Sequence, residues 1–164
     1  MKGVLIMTAL AALLCSCAGK RDKPPSGLAN PWKEVDSPEA AASEAGFAIM
    51  VPEQIEGYGA PVYRVTENMI EVLYQAGEDR LVIRKAPLTR TEGVKDNIAG
   101  DYSKYEEFRI IDGIDFCLET RGNTGLINNA VWDDGTMNYA VIVNPGTSRG
   151  LELSVIMELM KAVK

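Results

Sequence analysis

Short apolar runs rich in residues that favour β-structure fill most of the chain, and this pattern is typical of β-strands. From Phe47 onward, residues that favour turns separate these runs. The pattern predicts about six to eight strands, in segments at Phe47–Val51, Val62–Thr66, Met69–Tyr74, Arg80–Lys85, Phe108–Asp112, Ile114–Thr120, Leu126–Asp133 and Met137–Asn144. Short turns make consecutive strands antiparallel, so we expect a meander-like antiparallel sheet.

Two Asp-Gly pairs give the clearest hairpin signals in the sequence. Asp112-Gly113 and Asp134-Gly135 each lie between apolar runs, and tight hairpin turns favour this dipeptide because they need positive φ. The segment from Ala86 to Tyr105 interrupts the strand pattern, since it is long, polar and contains glycine. Long loops inside a compact domain are usually functional or mobile, so we expect ligand contacts there.

Two helices complete the predicted architecture. Ser37-Pro38-Glu39 is typical of a helix start, and Gly46 is typical of a helix end, which predicts a helix over Pro38–Ala45. Apolar residues recur at helical spacing from Leu151 to Val163, with Thr147 or Ser148 as the expected N-cap. A terminal helix packed on one face of an antiparallel sheet defines an α+β fold.

The first residues have the plan of an export signal. Lys2 precedes an apolar run from Val4 to Leu14, which is too short to span a bilayer. The following Leu14-Cys15-Ser16-Cys17 resembles the lipobox of bacterial lipoproteins, which implies cleavage before Cys17 and a lipid on its sulfur. The alternative is an ordinary cleaved signal that ends near a cysteine.

These features predict a lipoprotein signal peptide over residues 1–16, a flexible tether over 17–29 and one α+β domain over 30–164. The tether is polar and contains Pro24-Pro25 and Gly27. Removal of residues 1–16 takes away one basic residue, Lys2, and changes the formal charge of the chain from −6 to −7. An acidic domain argues against nucleic acid as a partner and against broad adhesion to anionic lipid headgroups. We therefore expect the membrane to be reached through the lipid on Cys17.

The cysteines set a second expectation. With Cys15 removed and Cys17 lipidated, Cys117 is the only remaining thiol, and no disulfide can form within the chain. Cys117 lies between Phe116 and Leu118 in a strand-like run, where cysteine usually acts as a small buried apolar group.

No convincing catalytic constellation is present. Gly146-Thr147-Ser148-Arg149-Gly150 matches the G-x-S-x-G pattern of esterases, but the sequence has no histidine to activate the serine. The lack of histidine also removes the commonest metal ligand, and we expect no cofactor and no metal. Asp133-Asp134 and Glu106-Glu107 leave open a carboxylate-dependent hydrolase of cell-envelope polymer, although neighbouring residues on a strand point to opposite faces.

Aromatic residues near predicted turns are candidates for ligand stacking. They are Trp32, Tyr58, Tyr102, Tyr105 and Trp132. The alternative is that these side chains seal the edges of the sheet with their polar tips in water. We select Asp101, Tyr102, Tyr105 and Trp32 as the candidate ligand-binding residues.

Several motifs resemble, in the same order, a family of uncharacterised bacterial lipoprotein domains, domain of unknown function 4367. They are Asn30-Pro31-Trp32, Ala45-Gly46-Phe47, Val51-Pro52, Ile83-Arg84-Lys85-Ala86, Asn97-Ile98-Ala99-Gly100-Asp101-Tyr102 with Tyr105, and Ala130-Val131-Trp132 before Asp134-Gly135 and Tyr139. The run 98–102 is similar to the family's I-S-G-D-Y, with Ala99 in place of serine, and the loop Pro87–Lys95 is longer than usual. The resemblance implies a lipid-anchored α+β domain, sometimes associated with sigma-factor regulation, without established catalytic residues.

The sequence therefore favours a non-enzymatic, lipid-anchored binding or sensing module that faces outside the cytoplasm of a bacterium. Its partner would be an envelope protein, a peptide or a glycan. A third hypothesis is a regulatory protein that docks on a membrane protein by strand addition at a sheet edge.

Overall fold

The computed structural model describes residues 31–88, 98–114 and 116–164. They form one eight-stranded antiparallel sheet and two helices, which confirms the α+β prediction. The strands are β1 (Lys33–Val35), β2 (Val62–Thr66), β3 (Met69–Ala76), β4 (Asp79–Pro87), β5 (Glu107–Asp112), β6 (Cys117–Asn123), β7 (Leu126–Asp133) and β8 (Met137–Val143). The helices are α1 (Pro38–Ala45) and α2 (Leu153–Ala162).

The sheet consists of two consecutive four-stranded meanders that join at its centre. The strand order is β1-β2-β3-β4-β8-β7-β6-β5, so β4 pairs with β8 and β5 lies at the far edge. The connection from β4 to β5 must therefore run from the middle of the sheet to that edge. Ile98 and Ala99, in its described part, are buried against Val82, Ala140 and Ile142.

Both helices pack against one face of the sheet, which we call the helix face. Its core combines Ala41 of α1 and Ile156 of α2 with strand residues such as Val72, Ile83 and Val141. Burial of each large apolar side chain stabilises the fold by about 1.5–3 kcal/mol. Alternation along the strands places the intervening residues on the opposite face, which we call the outer face.

The predicted caps of α1 are confirmed. The Ser37 hydroxyl oxygen accepts a hydrogen bond from the Ala40 N–H at 3.2 Å, and Pro38 lies in the first turn. Gly46 ends the helix with φ of 82°, and its N–H donates to the Ala42 carbonyl at 2.9 Å.

The start of α2 differs from the prediction. Its N-cap residue is Glu152, and no side chain caps it. Thr147 does not reach the helix because its hydroxyl donates to the Asn144 carbonyl at 2.8 Å and accepts from the Arg149 N–H at 3.0 Å. Leu151 is then paired with Ile127 through two backbone hydrogen bonds, so the helix begins only after it.

One predicted strand is replaced by another. Residues 47–51 are not a strand, although Ile49 is buried. The backbone of Met50 forms two hydrogen bonds with that of Lys164, but this isolated pair does not extend into a ladder. The eighth strand is instead β1, which the sequence pattern did not predict as a strand. It is only three residues long and pairs with β2.

The two Asp-Gly hairpins differ in geometry. At Asp134-Gly135 the glycine has φ of 89°, and the Asp134 carboxylate accepts from the N–H groups of Thr136 and Met137 at 2.9 and 2.8 Å. At Asp112-Gly113 the turn has the same length, but Asp112 is the last residue of its strand, and the Gly113 N–H rather than the aspartate N–H closes the turn on the carbonyl of Phe116 at 2.8 Å.

The expected burial of Cys117 is wrong, because the residue is exposed. In β6 the neighbouring Leu118 faces the core of the helix face, and alternation turns Cys117 to the outer face.

Candidate functional site

Three charged residues lie side by side on the outer face, on three neighbouring strands. The register pairs Arg64 of β2 with Glu71 of β3, and Glu71 with Arg84 of β4. Glu71 is 1% exposed, and a buried carboxylate is costly unless it is paired. Both guanidinium groups contact it, so we call these three residues the charged triad.

Arg84 is fully engaged within the protein. Its Nε and Nη2 lie 2.8 and 2.7 Å from Glu71 Oε2, and its Nη1 donates to the carbonyls of Ile98 and Ala99 at 3.1 and 2.6 Å. The guanidinium carbon also lies 5.2 Å from the centre of the Trp32 ring, which is a cation–π distance. Arg84 therefore fastens the β4–β5 connection to the sheet.

Gly100 shows how closely that connection approaches Arg84. Its φ is +58°, and a Cβ atom built there would lie 2.8 Å from Arg84 Nη1. Both the backbone conformation and the lack of space favour glycine at this position.

Arg64 is engaged much less completely. Its Nη2 forms an ion pair with Glu71 Oε1, but that oxygen has no hydrogen bond of good geometry within the described residues. Arg64 Nε is buried and has no hydrogen-bond partner in the same part of the chain. Arg64 therefore retains hydrogen-bonding capacity that Arg84 has already used.

A cleft of about 630 Å³ opens beside the triad on the outer face. Clefts of about 300–1,000 Å³ are typical of small-molecule sites. Its lining combines polar and apolar groups: Trp32, Arg64, Glu71, Leu73, Gln75, Arg80, Val82, Arg84, Ala99, Gly100, Asp101, Ser103, Ile142 and Pro145. Strands β2, β3, β4 and β8 supply the floor, and residues 99–103 form one wall.

Asp101 holds that wall in place. It is 7% exposed and accepts hydrogen bonds from the Ser103 N–H at 2.9 Å and from the Tyr105 hydroxyl. Burial raises the pKa of Asp101, but the hydrogen bonds from Tyr105 and Ser103 outweigh it, so the net pKa lies below 3.8. Asp101 is therefore an ionised residue that stabilises the turn.

The structure brings together two of the four candidate ligand-binding residues. Trp32 and Asp101 line the cleft. Tyr105 lies behind Asp101 and accepts a hydrogen bond from the Gly146 N–H at 3.3 Å, whereas Tyr102 is 87% exposed and does not line the cleft. The connection expected to carry ligand contacts thus contributes a wall of the cleft.

The sequence motifs did not predict Arg64, Glu71 and Arg84 as site residues. The available signal was a charged residue inside a strand-like apolar run. Arg64 and Glu71 lie between two apolar neighbours, and Arg84 follows the buried Ile83. Such positions face away from the core, and the pairing of the strands then decides whether they meet.

The other candidates do not form a second site. Trp132 is buried on the helix face and stacks on Tyr139 at 5.4 Å, so it is separated from Trp32 by the sheet. Ser148 of the G-x-S-x-G match is exposed and lies outside the cleft lining. In the described ranges, no group of three residues could hold a metal ion, and neither helix could cross a membrane.

Comparison with known proteins found no match among family models, curated proteins or solved structures. The resemblance to the lipoprotein domain family remains a hypothesis that rests on the motifs quoted above. Cys17 and the tether lie outside the described residues.

Proposed function

We propose that this protein is a lipid-anchored, extracytoplasmic binding module that holds a small polar molecule in the cleft of its outer face. The observation that carries the proposal is the cleft itself, where arginine, amide and hydroxyl groups surround an apolar floor. A few convergent polar groups in a concave, partly apolar site are the usual features of ligand pockets. The lipobox-like sequence and the polar tether support the location.

Two carboxylates line the cleft, and a carboxylate-dependent hydrolase would need such a pair for catalysis. Glu71 is contacted by both arginines of the charged triad, and Asp101 is held by Ser103 and Tyr105. A general acid needs a raised pKa, whereas the pKa of Asp101 is lowered. These contacts favour binding over hydrolysis.

A cleft-filling variant tests the proposal. Gln75 is exposed and lines the cleft, so Gln75→Trp places an indole there without changing the core. Glu78→Trp, in the turn between β3 and β4, is the matched control outside the cleft. Small molecules that copurify with the full chain from its bacterial host would be extracted and identified by mass spectrometry.

We expect one compound to be enriched with the wild type and with Glu78→Trp, and to be lost with Gln75→Trp. Thermal unfolding should show that both variants remain folded. An identical set of compounds in all three preparations would contradict the proposal.

A second candidate function is docking of an envelope protein by strand addition to β5. Strand β5 lies at one edge of the sheet, and no described strand pairs with its free edge. Its residues Phe108 and Ile110 are 55% and 54% exposed on the outer face of the sheet. A partner strand with alternating apolar residues would cover these two side chains. Ile110→Lys should then abolish crosslinking of this protein to a membrane protein in intact cells. Gln75→Trp, in the cleft, is the control and should crosslink as the wild type does. Crosslinking of Ile110→Lys at the wild-type level would reject this candidate.

A further inference from the structure

We propose that the cleft recognises an oxyanion, a carboxylate or a phosphate group of a small polar molecule, through the guanidinium group of Arg64. This inference rests on the proposed function, because it names the chemistry of the ligand in the same cleft. It depends on the contrast between the two arginines of the charged triad.

The two arginines of the charged triad differ in the hydrogen-bond donors that they leave unused. Arg84 directs its donors to Glu71 and to the carbonyls of Ile98 and Ala99, so it has little left to offer a ligand. Among the residues described, Arg64 directs only Nη2 to Glu71, its Nε is buried without a partner, and its side chain remains 24% exposed to the cleft. A planar guanidinium with unused donors matches the paired oxygens of a carboxylate or phosphate.

Glu71 orients the side chain of Arg64. A long arginine side chain loses rotamer freedom when it binds a ligand, and this loss lowers affinity. Glu71 is 1% exposed and fixed by Arg84, so it holds Arg64 against the floor of the cleft before a ligand arrives. Glu71 is therefore a positioning residue for the anion site.

The residues that line the cleft carry a net positive formal charge. The cleft lining contains three arginines and two carboxylates, so it is formally cationic in a chain whose formal charge is −6. Arg80 lies four residues from Arg84 along β4, about 13 Å away in an extended strand. Its position at the other end of the cleft gives an anionic or polar ligand a second charged contact.

The polar lining also limits the class of ligand. Gln75, Ser103 and Arg80 accompany Arg64, whereas the apolar floor is short and consists of Leu73, Val82 and Ile142. Val82 and Ile142 are 7% and 4% exposed, so little apolar surface remains for an acyl chain. A hydroxylated acid or a phosphorylated polar molecule fits this lining better than a fatty acid.

Calorimetric titration of the full chain in mild detergent tests the inference. The probes are glucuronate and glucose 6-phosphate, with glucose as the neutral control of similar size, and succinate with succinamide as a second matched pair. We expect at least one of the three anions to bind. Its neutral counterpart, glucose or succinamide, should bind about tenfold more weakly or not at all. Binding of glucuronate but not glucose 6-phosphate would identify a carboxylate ligand, and the reverse a phosphate ligand.

Arg64→Lys is the decisive variant. It keeps a positive charge beside Glu71, so the buried carboxylate remains compensated, but it removes the planar fork and Nε. We expect it to weaken anion binding about tenfold. Arg109→Gln, an exposed residue at the far edge of the sheet, changes the net charge without touching the cleft and should bind as the wild type does.

Equal binding of anions by the wild type and Arg64→Lys would overturn the assignment to Arg64. Binding of glucose alone, lost in Gln75→Trp, would overturn the anion inference and leave the proposed function intact. Failure of every probe would also overturn the anion inference, whereas the proposed function is judged separately by the copurifying compound.

Discussion

At the scale of single residues, Asp101 and Tyr102 are adjacent in the connection between β4 and β5, but of the two side chains only that of Asp101 is hydrogen-bonded to other described residues of that connection. Asp101 is buried and bonded to Ser103 and Tyr105, whereas Tyr102 is 87% exposed. Asp101→Ala should lower the free energy of unfolding by about 2 kcal/mol, because it leaves buried donors without their acceptor. Tyr102→Ala should change it by less than about 0.5 kcal/mol.

Urea unfolding of the two variants measures this difference. Tyr102 is the internal control, since it lies in the same segment and is adjacent in sequence. Equal losses in both variants would show that Asp101 does not hold the wall of the cleft.

Acid sensitivity should also arise at single residues. The pKa of Asp134 is strongly lowered: burial raises it, but hydrogen bonds from Met137, Thr136 and Tyr139 lower it by more. A lowered pKa in the folded state means that the ionised carboxylate stabilises the fold above its unfolded pKa of 3.8, and that this stabilisation is lost as the pH falls below that value.

Asp134→Asn should therefore reduce the loss of stability between pH 5 and about pH 3, relative to the wild type. Urea unfolding at a series of pH values measures the slope. Asp112→Asn is the control, since Asp112 is an exposed residue in the other Asp-Gly hairpin. Wild-type and Asp134→Asn curves of equal slope would contradict the prediction.

The candidate site was predictable only in part at this scale. Asp101 could be selected because polar residues in a long loop are often functional, and Trp32 because an aromatic residue near a predicted turn can stack on a ligand. Arg64, Glu71 and Arg84 could not, since their meeting depends on the register of three strands rather than on any motif.

At the scale of elements, the turn between β6 and β7 contains local strain. Thr124 has φ of 56° and Gly125 has φ of 82°, so this two-residue hairpin places a β-branched residue in the left-handed region. Asparagine adopts that conformation more readily and is preferred before glycine in such turns.

Thr124→Asn should therefore raise the free energy of unfolding by about 1 kcal/mol. Thr124→Val, which keeps the branched Cβ, is the control and should show no gain. A decrease in the stability of Thr124→Asn in urea would contradict the account of this turn.

Most elements followed from local patterns, and the exceptions have physical causes. The Ser37 cap, Gly46 and the Asp134-Gly135 turn act within a few residues, so they are visible in the sequence. The pairing of β4 with β8 joins segments that are far apart in the chain, and turn signals do not encode it. β1 escaped notice because Lys33–Val35 is short and mostly polar.

At the scale of the whole molecule, the strand order creates the cleft. Because β4 pairs with β8 rather than β5, the chain must cross the outer face, and Ile98 and Ala99 pack on it during that crossing. The helix face carries the larger core, and this crossing buries a smaller apolar cluster on the outer face beside the cleft.

The proposed anchor is tested on the intact protein. Cys17→Ser should release a folded domain into the soluble fraction, because the lipid is expected on that sulfur alone. Cys15→Ser should remain with the membrane, since Cys15 is removed with the signal. Fractionation of cells, followed by thermal unfolding of the released protein, measures both results; a membrane-bound Cys17→Ser would argue against a lipid on this residue.

The cleft of the outer face is the proposed ligand site. The chain has two tryptophans, Trp32 in the cleft and Trp132 buried on the other side of the sheet, so fluorotryptophan labelling gives one reporter and one internal control. During titration with the copurifying compound, the fluorine signal of Trp32 should shift and saturate while that of Trp132 stays fixed. A saturating shift of Trp132 alone, or of neither signal despite measured binding, would place the ligand elsewhere and contradict the account.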